Sequence, residues 1–283
     1  MQPAQLFIAA DGPRTDREGE KEKCEEVRKW VLSQIDWECE LKTLFRNENV
    51  GCGKAVSESI SWFFENVEQG IILEDDVLPD KTFFLFSEQM LNFYKDDRRV
   101  MQISGNNFIA ESFSNNKSYF FSKYVHIWGW ATWKRAWNYY DFELKNLDMI
   151  TFRKITNNVG LGKIEKKYWN NIYEFLNQER QTIWDYQWLF SIWKNKGVSI
   201  IPNCNLVSNI GFGVNATHTF DTESKLAKFP VSSMIFPLVH ENRIRYNKKA
   251  DKLISKEGYN IKIEAGEILI VRLCKRLMDK FKM

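Results

Sequence analysis

Glu74, Asp75 and Asp76 stand side by side where a short apolar run, Gly70 to Leu73, stops and Pro79 blocks its simple continuation. Three like charges at one strand end repel, so an opposite charge must offset them. A hard divalent cation with oxygen ligands, Mg2+ or Mn2+, would do so and would also draw in a diphosphate. A solvated acidic turn is the other reading of the same residues. Asp185, flanked by Trp184 and Tyr186, suggests proton transfer. Desolvation between two rings disfavours its charge and makes it a better base. The same aspartate also suits the N-cap of a helix running from Tyr186 to Lys194. His218, in the polar loop over residues 213–218, reads either as a metal or diphosphate contact or as a surface histidine. Lys54, which follows the glycine-bearing loop Asn47 to Gly53, reads as a phosphate contact or an exposed lysine, and His126 and His240 read as structural.

The elements that must position these groups follow from composition and period. Leu6 to Ala10 is a buried-type strand ending at the turn Asp11-Gly12-Pro13-Arg14. A charged helix is expected from about Asp16 to Gln34, with Val27, Trp30, Val31 and Ile35 as its inner stripe. A second strand, Glu40 to Phe45, leads through the glycine loop into an amphipathic helix from Val56 to Val67. The acidic strand comes next, then a helix from about Lys81 to Tyr94 and a strand opening at Val100. Strands alternating with helices predict an α/β fold with a mostly parallel sheet, whose ligands lie outside the carboxyl ends of the strands.

The second half is rich in tryptophan. Trp128, Trp130, Trp133 and Trp137 crowd one segment, and Trp184, Trp188 and Trp193 another. Trp133 and Trp137, at helical spacing, are expected in the core. Gly129 between two large rings predicts a tight turn, and aromatic faces exposed beside it would suit sugar rings. From about Thr222 the chain becomes basic and weakly patterned, which divides it into residues 1–220 and an extension over 221–283. The extension closes on Glu267 to Met283, where Ile270, Cys274, Leu277 and Phe281 form a stripe among lysines and arginines. Such a helix either rests on an anionic membrane surface or packs on its own domain.

With 283 residues, 44% of them hydrophobic, the chain can bury a sizeable core. A net charge of +3 gives no global case for nucleic acid binding. Five scattered cysteines without a CxxC pair read as reduced thiols in a cytoplasmic setting. Met1 to Gln5 lacks the blocks of a signal peptide, and no apolar run approaches the roughly 20 residues of a membrane span. A calcium loop is a poor reading of Glu74-Asp75-Asp76, which lacks alternating oxygen ligands and a central glycine.

Taken in order, these segments resemble a sugar-nucleotide glycosyltransferase of the GT-A fold, of the N-acetylglucosaminyltransferase I type and its bacterial nucleotide-diphospho-sugar relatives. The likeness runs from about Leu6 to Thr219. It implies that Asp11 and Gly12 end the strand that holds the nucleotide base. It implies that Glu74-Asp75-Asp76 is a D-x-D-like motif, with Asp76 holding Mn2+ or Mg2+ and Glu74 or Asp75 holding the ribose or metal-bound water. Trp130, in Ile127 to Trp133, matches a Gly-Trp segment beside the donor sugar, and Ile183 to Trp188 matches a Trp-Asp segment that houses the base. Ser208 to Gly213, leading to His218, matches the loop that closes the site. The resemblance further implies a donor such as a uridine diphosphate sugar, a glycan or glycolipid acceptor, and inversion by direct displacement. A GT-A domain begins with a strand and helix ahead of the base-binding strand, so this chain is expected to lack that first pair. A protein of the same fold that binds nucleotide or glycan without catalysis is the alternative.

Overall fold

The computed structural model describes residues 2–145, 147–178, 183–212 and 229–261. Its strands are β1 (Gln5–Ala10), β2 (Glu40–Phe45), β3 (Gln69–Ile72), β4 (Val77–Pro79), β5 (Val100–Ser104), β6 (Tyr119–Ser122), β7 (Trp130–Trp133), β8 (Val198–Pro202) and β9 (Val207–Asn209). Its helices are α1 (Glu20–Ser33), α2 (Cys52–Asn66), α3 (Lys81–Phe93), α4 (Lys134–Trp137), α5 (Met149–Asn158), α6 (Lys163–Gln178), α7 (Asp185–Lys194) and α8 (Lys248–Leu253). A π-helical turn, Ile254–Gly258, extends α8. Among the described residues no helix is long and apolar enough to cross a membrane.

The fold is α/β, as expected, but its main sheet is mixed rather than mostly parallel. Five strands lie in the order β3-β7-β5-β8-β6. β5 and β8 pair in parallel, whereas β7 runs antiparallel to both β3 and β5, and β6 antiparallel to β8. The helix-strand alternation correctly gives β3 and β5 one direction. What it does not reveal is that β7, from later in the chain, inserts between them. β1 and β2 form a separate parallel pair, and β4 and β9 a short antiparallel one.

Two cores flank the main sheet, and strand alternation assigns residues to them. On β6, Tyr119 and Phe121 join the core under α3, while Phe120 points to the opposite side. That opposite core holds Trp130, Trp137, Trp169, Trp184, Trp188 and Trp193, all at most 4% exposed. Trp133 is also buried, on the α3 side. Trp188 is completely enclosed and donates its Nε1–H to Gln102 Oε1 at 2.6 Å, which satisfies both polar groups away from water. The boundary expected near residue 220 falls outside the described residues. The described part of the extension, 229–261, runs over both cores and contributes Met234 to one and Ala250, Ile254 and Ile261 to the other. The Glu267-to-Met283 stripe also lies outside the described residues.

The inner stripe expected for α1 is corrected. Val27 and Trp30 are 60% and 63% exposed, and no residue of α1 is buried. Val31 and Ile35 remain half-buried, now beside Cys24, Arg28 and Leu32. A two-stranded sheet is narrow, so it shields only part of the helix face that the period marks as apolar. Trp188→Ala should therefore cost about 3–5 kcal/mol of stability, the scale for emptying a large aromatic site. Trp30→Ala should stay within about 0.5 kcal/mol, as an exposed substitution does. Denaturant unfolding of the two variants checks the contrast.

Candidate functional site

The acidic turn follows the carboxyl end of β3 and is closed by a hydrogen bond from Val77 N to Glu74 O at 3.3 Å. Beyond it, β4 pairs with β9 in the register Val77 to Asn209 and Leu78 to Ser208. The pairing continues into the turn, where Ile210 N donates to Asp76 O at 2.7 Å. Gly211 then lies directly on the Asp76 carboxylate, where a methyl group would sit 2.5 Å from Oδ2. Asp80, the next carboxylate, does a different job: it caps α3 by accepting from Thr82 N at 2.8 Å.

Asp11 reaches the same region from the end of β1. Its carboxylate accepts from the backbone N–H groups of Gly12, Val50 and Gly51 at 2.8, 3.0 and 3.2 Å, pinning the glycine loop that opens α2. Gly12 touches that loop so closely that a Cβ would fall 2.3 Å from the Glu48 backbone. Arg28 of α1 ties the ends of the first two strands together by donating to Asp11 O and Arg46 O. Asp11 and Gly12 thus serve as the anchor of the loop.

Asp185 arrives at the first position of α7, whose Trp188 shares a core with Ile60 and Phe64 of α2. Trp184, not Asp185, occupies the N-cap and gives no side-chain cap, so the helix starts one residue before the expected Tyr186. Trp184 is held by a ring stack on Trp130 (5.7 Å, 22°) and by Tyr140 Oη, which donates to its carbonyl. Trp130 is fully buried in β7, the strand beside β3. It cannot lie against a bound sugar, so its role is to fix Trp184 and hence Asp185. The half-exposed ring of the segment is Trp128, on the far side of a turn made at Gly129, whose φ is +61°. Trp128 meets Phe108 and Phe212 edge-on, at 4.9 and 5.8 Å.

The electrostatics show which groups converge. Burial raises the Glu74 carboxyl to about 8, helped by the charges of Asp76, Asp185 and Asp75. Burial also raises Asp185 to about 6, partly offset by hydrogen bonds from its own N–H and that of Tyr186. Cys52, at the start of α2, is pushed up to about 11 by desolvation and then by Glu74, Asp185, Asp11 and Asp75. Cys52 as a residue is nevertheless exposed. Carboxylates from three distant segments therefore share one region around Cys52, with no lysine or arginine among the causes.

Lys54 is not drawn into this region. It is half exposed and faces Glu58 at 3.7 Å along its own helix. His218 lies outside the described residues. His126 is buried, shares a hydrogen bond with Asn106 O through Nδ1 and is pushed down to about 4, which keeps it neutral. Sequence reasoning missed Cys52, whose signal was its place directly after Gly51 in a loop that opens a helix. It also missed Phe108 and chose Trp130 over Trp128.

Among the described residues no three His, Cys, Asp or Glu side chains stand close enough to hold an ion unaided. Their chemistry still fits a hard cation: the donors of the turn are carboxylate oxygens, and no lysine or arginine offsets them. No protein-family model matches the chain, and no curated protein matches it. Fold and site together define an α/β protein with an acidic region beyond the carboxyl end of β3.

The Glu74 shift has a measurable consequence. Between its ordinary 4.5 and about 8, the folded protein keeps a proton that the unfolded chain has lost, so stability falls as pH rises through this window. Glu74→Gln should remove that loss. The ligand-free variant should melt above the wild type at pH 8–9 and together with it at pH 4. Parallel melting curves across the whole range would show that Glu74 is not strained by its neighbours.

Proposed function

We propose that this chain is a metal-dependent glycosyltransferase of the GT-A type, moving a sugar from a uridine diphosphate donor to a hydroxyl of a glycan or glycolipid with inversion. The observation that carries the reading is the meeting of Asp11, Glu74, Asp75 and Asp185 around one cleft from three distant parts of the sequence. A general binding protein has no need of an aspartate raised to about 6 by burial beside a glutamate raised to about 8.

In this reading the acceptor hydroxyl attacks the anomeric carbon as the bond to the diphosphate oxygen breaks, and the hydroxyl proton passes to Asp185. Partial desolvation makes Asp185 a stronger base than a surface carboxylate yet leaves it ionised at neutral pH. The half-exposed Trp128, braced by Phe108 and Phe212, offers a flat face to a sugar ring beside the cleft. Asp76 is the residue that would hold Mn2+ or Mg2+, with His218 as a further ligand and Glu74 or Asp75 on the ribose or on metal-bound water. Such an ion, when bound, offsets the charge that gathers on the departing diphosphate.

Two experiments test the assignment. Asp185→Asn keeps size and hydrogen bonding but cannot take a proton, so transfer should fall by about 100-fold or more while donor binding and melting temperature hold. Wild-type kcat/KM should rise with pH through about 6, as Asp185 ionises. Near-normal transfer by the variant would remove Asp185 as the base and shift attention to another carboxylate such as Asp141. In the second experiment, Asp76→Asn should abolish Mn2+-dependent donor binding in calorimetry without unfolding the chain. Equal Mn2+–nucleotide affinity would overturn the metal assignment. Donor binding by the wild type with no release of nucleoside diphosphate would identify a binding protein of this fold.

A further inference from the structure

A second groove lies at the C-terminal end of α3, about 20 Å along that helix from Asp80 and the acidic turn. It spans about 550 Å3, within the range of small-ligand sites, between Phe93, Arg99 and the segment Glu241 to Arg245. Three arginines and one carboxylate, Glu241, line it, so its balance of charge is opposite to that of the acidic region. Arg243, at a bend of the chain, and Arg245 both line the groove. Ile244 between them turns into the core and fixes the pair in place. Arg99 is held by Asp97 through paired bonds of 3.0 and 2.7 Å. Among the described residues, by contrast, no carboxylate pairs with Arg243 or Arg245.

The wall of the groove is aromatic and rigid. Phe93 is 57% exposed, and one of its faces is stacked on His240 (4.2 Å, 10°). His240 is in turn fixed through Nδ1 to Tyr119 Oη at 3.1 Å, and Tyr119 to Tyr94 at 2.5 Å. A ring held this way keeps its position without help from a ligand. Its outer face, next to two unpaired guanidinium forks, suits a ring that carries an anion.

We propose that this groove binds a phosphate group carried on a sugar-sized ring, with Arg243 and Arg245 on the phosphate oxygens and Phe93 against the ring. The phosphate could come from a soluble sugar phosphate or from a phospholipid headgroup. The site is independent of the acidic cleft, so its test does not depend on the transferase reading.

The probe is glucose 1-phosphate, titrated into the full chain and followed by calorimetry and by the ring signals of His240 in NMR. Glucose alone and inorganic phosphate serve as comparisons. Glucose 1-phosphate should shift His240 and bind more tightly than either comparison. Arg243→Ala/Arg245→Ala should weaken it by about tenfold or more, the scale of losing bidentate charge-assisted bonds. Phe93→Ala should erase its advantage over inorganic phosphate. Arg243→Lys/Arg245→Lys, which keeps the charge but not the forks, should fall between, and it secures the test should the alanine pair fail to fold. Binding only to phosphatidylinositol vesicles, with loss of that binding in the arginine and Phe93 variants, would assign the phosphate to a lipid headgroup. Absence of binding to both probes, or binding unchanged in the arginine variants, overturns the proposal. Asp76→Asn should leave the groove's affinity unchanged.

Discussion

The stack of Trp130 on Trp184 holds the two halves of the site to each other. Trp130 belongs to the strand that pairs with β3, so its backbone is locked to the strand that delivers Glu74, Asp75 and Asp76. Trp184 is the residue from which α7 starts, so its ring fixes where Asp185 begins. Neither tryptophan touches solvent appreciably. A buried stack of this kind is both a large apolar contribution and a geometric clamp. The surrounding rings of Trp137, Tyr140 and Trp188 leave it no room to slide.

What the clamp holds together is electrostatically unfavourable. Carboxylates brought near one another on a partly buried surface raise each other's proton affinity, and they raise that of the Cys52 thiol as well. Such an arrangement lowers the stability of the ligand-free protein, and packing elsewhere offsets it. Proteins retain strain of this type where it is used, because a positive ligand then gains what the fold has lost. The main sheet and its two aromatic cores are the counterweight.

Much of this was readable from the chain. The order of β1, β2, β3 and β5 with the helices between them, and the acidic strand end, follow from local period and composition; β4 was not foreseen. Trp133 and Trp137, buried as expected, sit in a strand and a helix facing opposite cores rather than on one helix. The misses have a common cause, since each depends on pairing between distant segments. The insertion of β7 between β3 and β5 leaves no trace in either neighbour's sequence, so the direction of the sheet could not be inferred. Trp128 and Trp130, two apart, would share one face in a regular strand. The turn at Gly129 breaks that alternation and sends one ring out and the other in. The apolar stripe of α1 was visible, but the width of the sheet beneath it was not. Cys52 looked like one of several scattered thiols because the acidic groups around it come from Asp11, Glu74 and Asp185, far away in sequence.

The scant burial of the first layer has a consequence for how the cleft is built. No residue of β1, α1 or β2 is fully buried, whereas every residue of β5, β6 and β7 is. Local opening is least costly where few apolar contacts are lost, so the layer carrying Asp11 should exchange its amide hydrogens well before the main sheet does. The cleft is therefore bounded by one wall that is rigid and another that is soft. A ligand reaching across both would find the reactive geometry already set on the Asp185 side. It would give up part of its binding energy to order the Asp11 side, and with it the glycine loop that Asp11 holds.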